Sequence, residues 1–109
     1  MTANEIKGWL EDELANFPDR ASGEELYTYL TRRTADLLET DREALVEALT
    51  AWLHLRAEPR TMLAVEMAAK HRLIELRAEV SALLDAVRDG EAFKPFYDRP
   101  ILSALDELH

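Results

Sequence analysis

Cysteine is absent from this 109-residue chain, which excludes disulfide staples, thiolate zinc sites and cysteine nucleophiles, and agrees with a reducing compartment. Glycine is scarce as well. Gly8, Gly23 and Gly90 stand far apart, so no GxGxxG or GxxxxGK phosphate loop exists. No window approaches the roughly 20 apolar residues that cross a bilayer, and the first residues lack the basic stretch and apolar core of a secretory leader. Positive charge is the other shortage. Thirteen Lys and Arg face 22 Asp and Glu, a formal net charge of −9, which repels phosphate backbones and anionic lipid. These shortages predict a cytoplasmic protein with no cofactor, no bound metal, and neither nucleic acid nor membrane as a partner.

What remains is a chain 48% apolar and 32% charged, a composition too apolar for disorder and typical of helical globules. Its length suits one domain over residues 1–109, large enough to bury a core. The acids are uneven. Residues 1–50 carry 12 acids against 5 bases, whereas residues 51–109 carry 10 against 8.

Apolar spacing of three and four residues recurs throughout and no segment alternates as a strand would. A first helix starts behind Thr2 or Asn4, carries Ile6, Trp9, Leu10 and Leu14, and stops at Pro18. Ser22 with Glu25 forms a capping box for a second helix, whose apolar face is Leu26, Leu30, Leu37 and Leu38. Thr40 with Glu43 forms another, opening a helix with Leu45, Leu49, Trp52 and Leu53 as its stripe. Pro59 suits the first turn of a fourth helix with Met62, Leu63, Val65, Met67 and Ala68, apolar nearly all round and therefore central. A fifth runs from about Glu75 to Arg88, closed by Asp89 and Gly90. The small residues Ala64, Ala68 and Ala69 facing Val80, Leu83, Leu84 and Val87 predict a close hairpin of the fourth and fifth helices. Residues 91–100 hold Phe93, Phe96 and Tyr97 between prolines and read as a structured loop whose rings pack back on the bundle. Ile101, Leu102, Leu105 and Leu108 mark a last helix. The expected fold is all-α, a compact antiparallel bundle of about six helices.

Within residues 41–90, Arg60 opens a helix with the alanine stripe Ala64, Ala68 and Ala69, and a leucine-rich helix follows, ending in Leu83, Leu84 and Asp85. This half of the chain resembles a HEAT-type helical repeat. The resemblance implies helix-hairpin stacking and a non-enzymatic scaffold that offers a face to another protein. The expected Asp-x-x-x-x-Val-Arg of a further repeat is missing after Asp85, and residues 91–100 break the register.

Chemistry is sparsely written. A di-iron Glu-x-x-His pattern is absent from the bundle, since Ala51 and Ala68 stand three before His54 and His71. Asp106 stands three before His109, at a terminus prone to fraying. His54 with Glu58 and His71 with Glu75 are spaced for pairing one turn apart at helix ends. Ser22, Ser81 and Ser103 read as a cap and as exposed positions, and Met62, Met67, Trp9 and Trp52 read as core. Arg56, Arg60, Lys70, Arg72 and Arg77 divide between two ends of the bundle, placed to pair with acids or cap carbonyls. The expected function is therefore a protein-interaction module, not an enzyme, that binds a basic or mixed-charge protein. Glu11, Asp12, Glu13, Glu24 and Glu25 are its candidate contacts, steering a basic partner by long-range attraction. An immunity or antitoxin protein against a basic toxin is its most specific form, one that HEAT-like bacterial proteins resemble. A structural subunit forming a homo-oligomer through the last helix or the aromatic loop is the main alternative. An enzyme with a site hidden in the bundle is the third.

Overall fold

The first helix is the best capped. Thr2 Oγ1 accepts from the Glu5 amide at 3.2 Å, and the Glu5 carboxylate accepts from the Thr2 amide at 3.0 Å, so two amides left free by helix geometry find partners. The computed structural model describes residues 1–17 and 22–109. α1 spans Ala3–Asn16 and ends with Phe17 in an extended conformation. The predicted stop at Pro18 lies outside the described residues, as does Asp19. α2 spans Gly23–Thr34, α3 Leu37–Thr40, α4 Arg42–Leu55, α5 Arg60–Lys70, α6 Arg77–Arg88 and α7 Asp98–Asp106. Short 3-10 turns at Ile74–Leu76 and Pro95–Tyr97 lead into α6 and α7. The described residues contain no strand, and the radius of gyration is 13.1 Å.

Local chemistry sets most boundaries. Ser22 caps α2 by accepting from the Glu25 amide at 3.1 Å, although the reciprocal bond that would complete the box is not formed. α2 stops earlier than its apolar pattern suggests. The Thr34 hydroxyl bonds back to the Leu30 carbonyl at 2.8 Å, a bond that bends helices, and Leu37 and Leu38 fall on the separate single turn α3. The Thr40 box does not form either. Thr40 Oγ1 is 3.4 Å from the Asp36 carbonyl and 3.1 Å from the Asp41 carboxylate, so Asp41 flanks α4 without a side-chain cap. At the end of α6, Gly90 has φ +76°, its amide bonds to Val87 O, and the Glu91 amide bonds to Ala86 O at 2.8 Å, which is a Schellman closure. The end of α5 is built the same way with Arg72, at φ 50°, in the glycine position.

α5 is the central helix. It buries Thr61, Leu63, Ala64, Val65, Met67 and Ala68 and packs against α4, α2 and α7. α1 covers α4, and α6 lies on α7 and α4. The closest pair is α4 with α5, whereas α5 and α6 barely approach each other, so the alanine stripe serves the approach of helices other than α6. The Leu45, Leu49, Trp52 and Leu53 stripe is fully withdrawn from water, each side chain worth roughly 1.5–3 kcal/mol of transfer free energy.

One polar bridge joins α4 to α5 inside the core. Thr61 Oγ1 donates to the Trp52 carbonyl at 2.7 Å and accepts from the Ala57 amide at 3.0 Å. It thereby satisfies two backbone groups of the connection between the helices, including a carbonyl that the end of α4 would otherwise leave open.

Candidate partner-binding groove

The five acids singled out from sequence do not share one environment. Arg60 Nε lies 2.8 and 2.6 Å from the two carboxylate oxygens of Glu11, and this bond holds the Glu11 carboxyl below its ordinary range. Glu13 accepts from the Tyr29 hydroxyl and pairs with Arg33 at 3.5 Å. Those two acids tie α1 to α5 and α2. Asp12, Glu24 and Glu25 are exposed and enter no ion pair among the described residues.

Three of the five basic residues named from the sequence pair or cap as expected, whereas Lys70 and Arg77 enter no ion pair among the described residues. Arg56 donates to the Leu53 carbonyl at 3.1 Å, Arg60 holds Glu11, and Arg72 reaches Glu107 at 3.8 Å. The histidines choose partners other than those predicted. His54 meets Glu79, and His71 Nε2 lies 2.7 Å from Thr34 Oγ1. Glu75 is taken by Arg42, at 2.7 Å. Burial, and then the nearby Arg42 charge, lower the His71 pKa, so the ring is neutral at pH 7 and fastens the end of α2 to the end of α5. Among the described residues no three His, Asp or Glu side chains gather as a metal site, and no helix is long and apolar enough to cross a membrane.

The open concavity lies elsewhere, between α2 and α7 above α5. Gly23 and Glu24 sit beside Pro59 and Met62 at one end, while Thr34 meets His71 at the other, so α2 runs in the same direction as α5. Tyr97 lies near Met62, and Glu107 near Lys70 and Arg72, so α7 also runs that way. Two recesses join at Tyr27 and Glu66. The upper one, about 410 Å³, is walled by Leu26, Tyr27, Met62, Leu63 and Tyr97 with Glu24, Glu58 and Glu66 around it. The lower one, about 480 Å³, is more polar and includes Lys70, Arg72, Ser103 and Glu107.

Glu66 stands where the recesses meet. Burial raises its carboxyl above the ordinary range, offset in part by the Lys70 charge, and no hydrogen bond contributes. A third recess adjoins at Glu58 and Tyr97, with Phe93, Lys94 and Phe96. There Phe93 and Phe96 each pack on Tyr97, with centroids 5.2 and 4.9 Å away. Phe93 and Tyr97 thus anchor the loop as predicted, whereas Phe96 is 64% exposed.

Of the groove's lining, the sequence singles out Glu24 as a partner contact and Tyr97 as a ring that packs back, while Met62 reads there as core; that they share one groove is not foreseen from it. Met67 is fully buried while Met62 is half-exposed and lines the groove. The two lie five positions apart, about 140° around a helix, and only the packing of α2 and α7 decides which of them faces open space. Comparisons with protein-family models, with curated proteins and with solved structures each return no match.

Proposed function

We propose that this chain is a non-enzymatic protein-interaction module that captures a basic or mixed-charge protein in the groove between α2 and α7. One observation carries the reading. An apolar recess formed by Leu26, Tyr27, Met62, Leu63 and Tyr97 bears three carboxylates, Glu24, Glu58 and Glu66, and no base among the described residues. Exposed apolar walls of this kind cost solvation unless something covers them, and the carboxylates select a covering segment that brings lysine or arginine. Asp12, Glu24 and Glu25, exposed and in no ion pair among the described residues, extend the negative field that draws such a partner in. The negative charge of the whole chain also suits the narrower possibility of an immunity-type protein against a basic toxin, acting in the cytoplasm.

The probe is a synthetic amphipathic helical peptide with leucines at i, i+3, i+4 and i+7 and lysines on its other face, compared with its glutamate counterpart by fluorescence anisotropy. The lysine peptide should bind saturably. Met62→Glu should weaken it about tenfold or more by placing a charge in the apolar wall, and Glu24→Gln with Glu58→Gln should reduce its salt dependence. Equal binding of both peptides, or lysine-peptide binding untouched by Met62→Glu, would overturn the groove. Sedimentation across a wide concentration range tests the self-assembling alternative, which predicts an oligomer.

A further inference from the structure

The groove is not electrically uniform along its length. At the end formed by the starts of α2 and α5 it carries Glu24 and Glu58, with Glu66 midway, and no base in that recess among the described residues. At the end formed by the terminations of α5 and α7 it carries Lys70 and Arg72 beside Glu107. Arg72 and Glu107 are 3.8 Å apart with side chains 78% and 55% exposed, so water screens that pair and leaves the arginine available. Lys94 lies in the adjoining recess past Glu58, outside the trough between α2 and α7.

The helices flanking the trough add to the asymmetry. α2, α5 and α7 run in one direction, so their positive amide ends gather near Glu24 and Glu58, and their negative carbonyl ends near Lys70 and Arg72. Parallel helix dipoles repel and an opposed helix is attracted. α5 is 11 residues long, about 16 Å at 1.5 Å per residue, which leaves a floor for roughly three turns of a guest helix.

Resting on the groove reading above, we infer that the occupant is an amphipathic helix with acids in its first turn and bases in its last, lying antiparallel to α5. Three requirements coincide in that orientation. The guest's basic last turn meets Glu24 and Glu58, its acidic first turn meets Lys70 and Arg72, and its dipole opposes those of α2, α5 and α7. Acids at the start and bases at the end of a helix also stabilise the guest itself. Its apolar stripe, at the i, i+3, i+4 and i+7 spacing of helix-in-groove recognition, covers Leu26, Met62, Leu63 and Tyr97. Glu66, half-buried midway, receives a lysine or arginine from the middle of the guest.

Two peptides of equal length, equal leucine stripe and equal net charge test the direction. One carries Glu in its first turn and Lys in its last, and the other has the two groups exchanged. Both are locked helical by a side-chain staple so that helicity is matched. The native protein should bind the first about tenfold more tightly, and the quadruple variant Glu24→Lys, Glu58→Lys, Lys70→Glu, Arg72→Glu should prefer the second. A spin label on the last turn of the first peptide should broaden the amide signals of Gly23 and Glu24 in the native protein. A label on its first turn should broaden those of Lys70 and Arg72. The spin-label arm needs no variant, so it decides the orientation even if the quadruple variant fails to fold. Equal affinities, a preference unchanged by the charge exchange, or broadening at the opposite ends would overturn the orientation and leave the groove standing. Failure of both peptides to bind would overturn the groove itself.

Discussion

The two sides of α5 are finished differently. Toward α4, its apolar surface meets a continuous hydrophobic stripe, a buried threonine closes the connection, and Arg60 is held by Glu11 from α1. Toward the space between α2 and α7, the same helix presents Met62 and Glu66 to an open trough. α2 contributes only Leu30 and Thr34 as fully buried residues, so it leans on α5 without sealing it. A helix that is apolar nearly all round usually has neighbours all round. Here α4 closes one side, while on the other α2 and α7 both touch α5 yet leave a gap between them, and that gap is the trough.

The contrast is broken most directly by truncation on each side. Leu49→Ala, on the sealed side, should cost about 2–5 kcal/mol through lost transfer energy and a residual cavity. Met62→Ala, on the open side, should cost less than about 1 kcal/mol, because water already reaches it. Urea titrations with unchanged m-values measure both, and equal losses would mean the trough is closed in solution. Next in size is Thr61→Val, which keeps the shape but leaves the Trp52 carbonyl and Ala57 amide unpaired. It should cost about 1–3 kcal/mol, while Thr50→Val, whose hydroxyl bonds only the Val46 carbonyl of its own helix, should cost much less.

Smaller again is the clamp on the sealed side. Glu11 and Arg60 are each more than a third exposed, so Glu11→Gln should cost less than about 1 kcal/mol, and less still at high salt. The smallest effect sharpens the contrast by pH. The Glu66 carboxyl titrates above its unfolded value of 4.5, so the folded state holds the proton more tightly and stability is lost as pH rises through the folded pKa. Glu66→Gln should therefore be slightly more stable than the native chain at pH 7, with the gain fading below pH 4.5. His71 behaves oppositely. Its folded pKa lies below 6.5, so the unfolded chain binds the proton first and stability falls as pH drops from 6.5 toward the folded value. His71→Asn should flatten that part of the profile, as followed by thermal melts across pH.

Much of the framework could be read in advance because it depends on neighbours in sequence. Ser22 caps α2, Gly90 closes α6, Pro59 precedes α5, and the Leu45 to Leu53 stripe is core. The misreadings share a cause. Thr40 and Glu43 have the spacing of a capping box, but Asp41 competes for the threonine hydroxyl. Arg56 and Arg72 occupy left-handed positions that glycine would mark, and nothing in an arginine announces that. Thr61 looks like an indifferent residue on an apolar helix until Trp52 and Ala57 are placed beside it. The trough was least legible of all, since it depends on how far apart α2 and α7 come to rest, and apolar spacing within each helix carries no record of that distance.

Phe93, one wall of the adjoining recess, has φ 55°, a conformation that costs a residue with a side chain roughly 1–2 kcal/mol. Glycine there would relax the backbone but lose the ring's packing on Tyr97 and on the core, and those contacts offset the torsion. A tensioned clasp thus stands beside the trough, in which Tyr97 holds Phe93 in place while itself lining the upper recess.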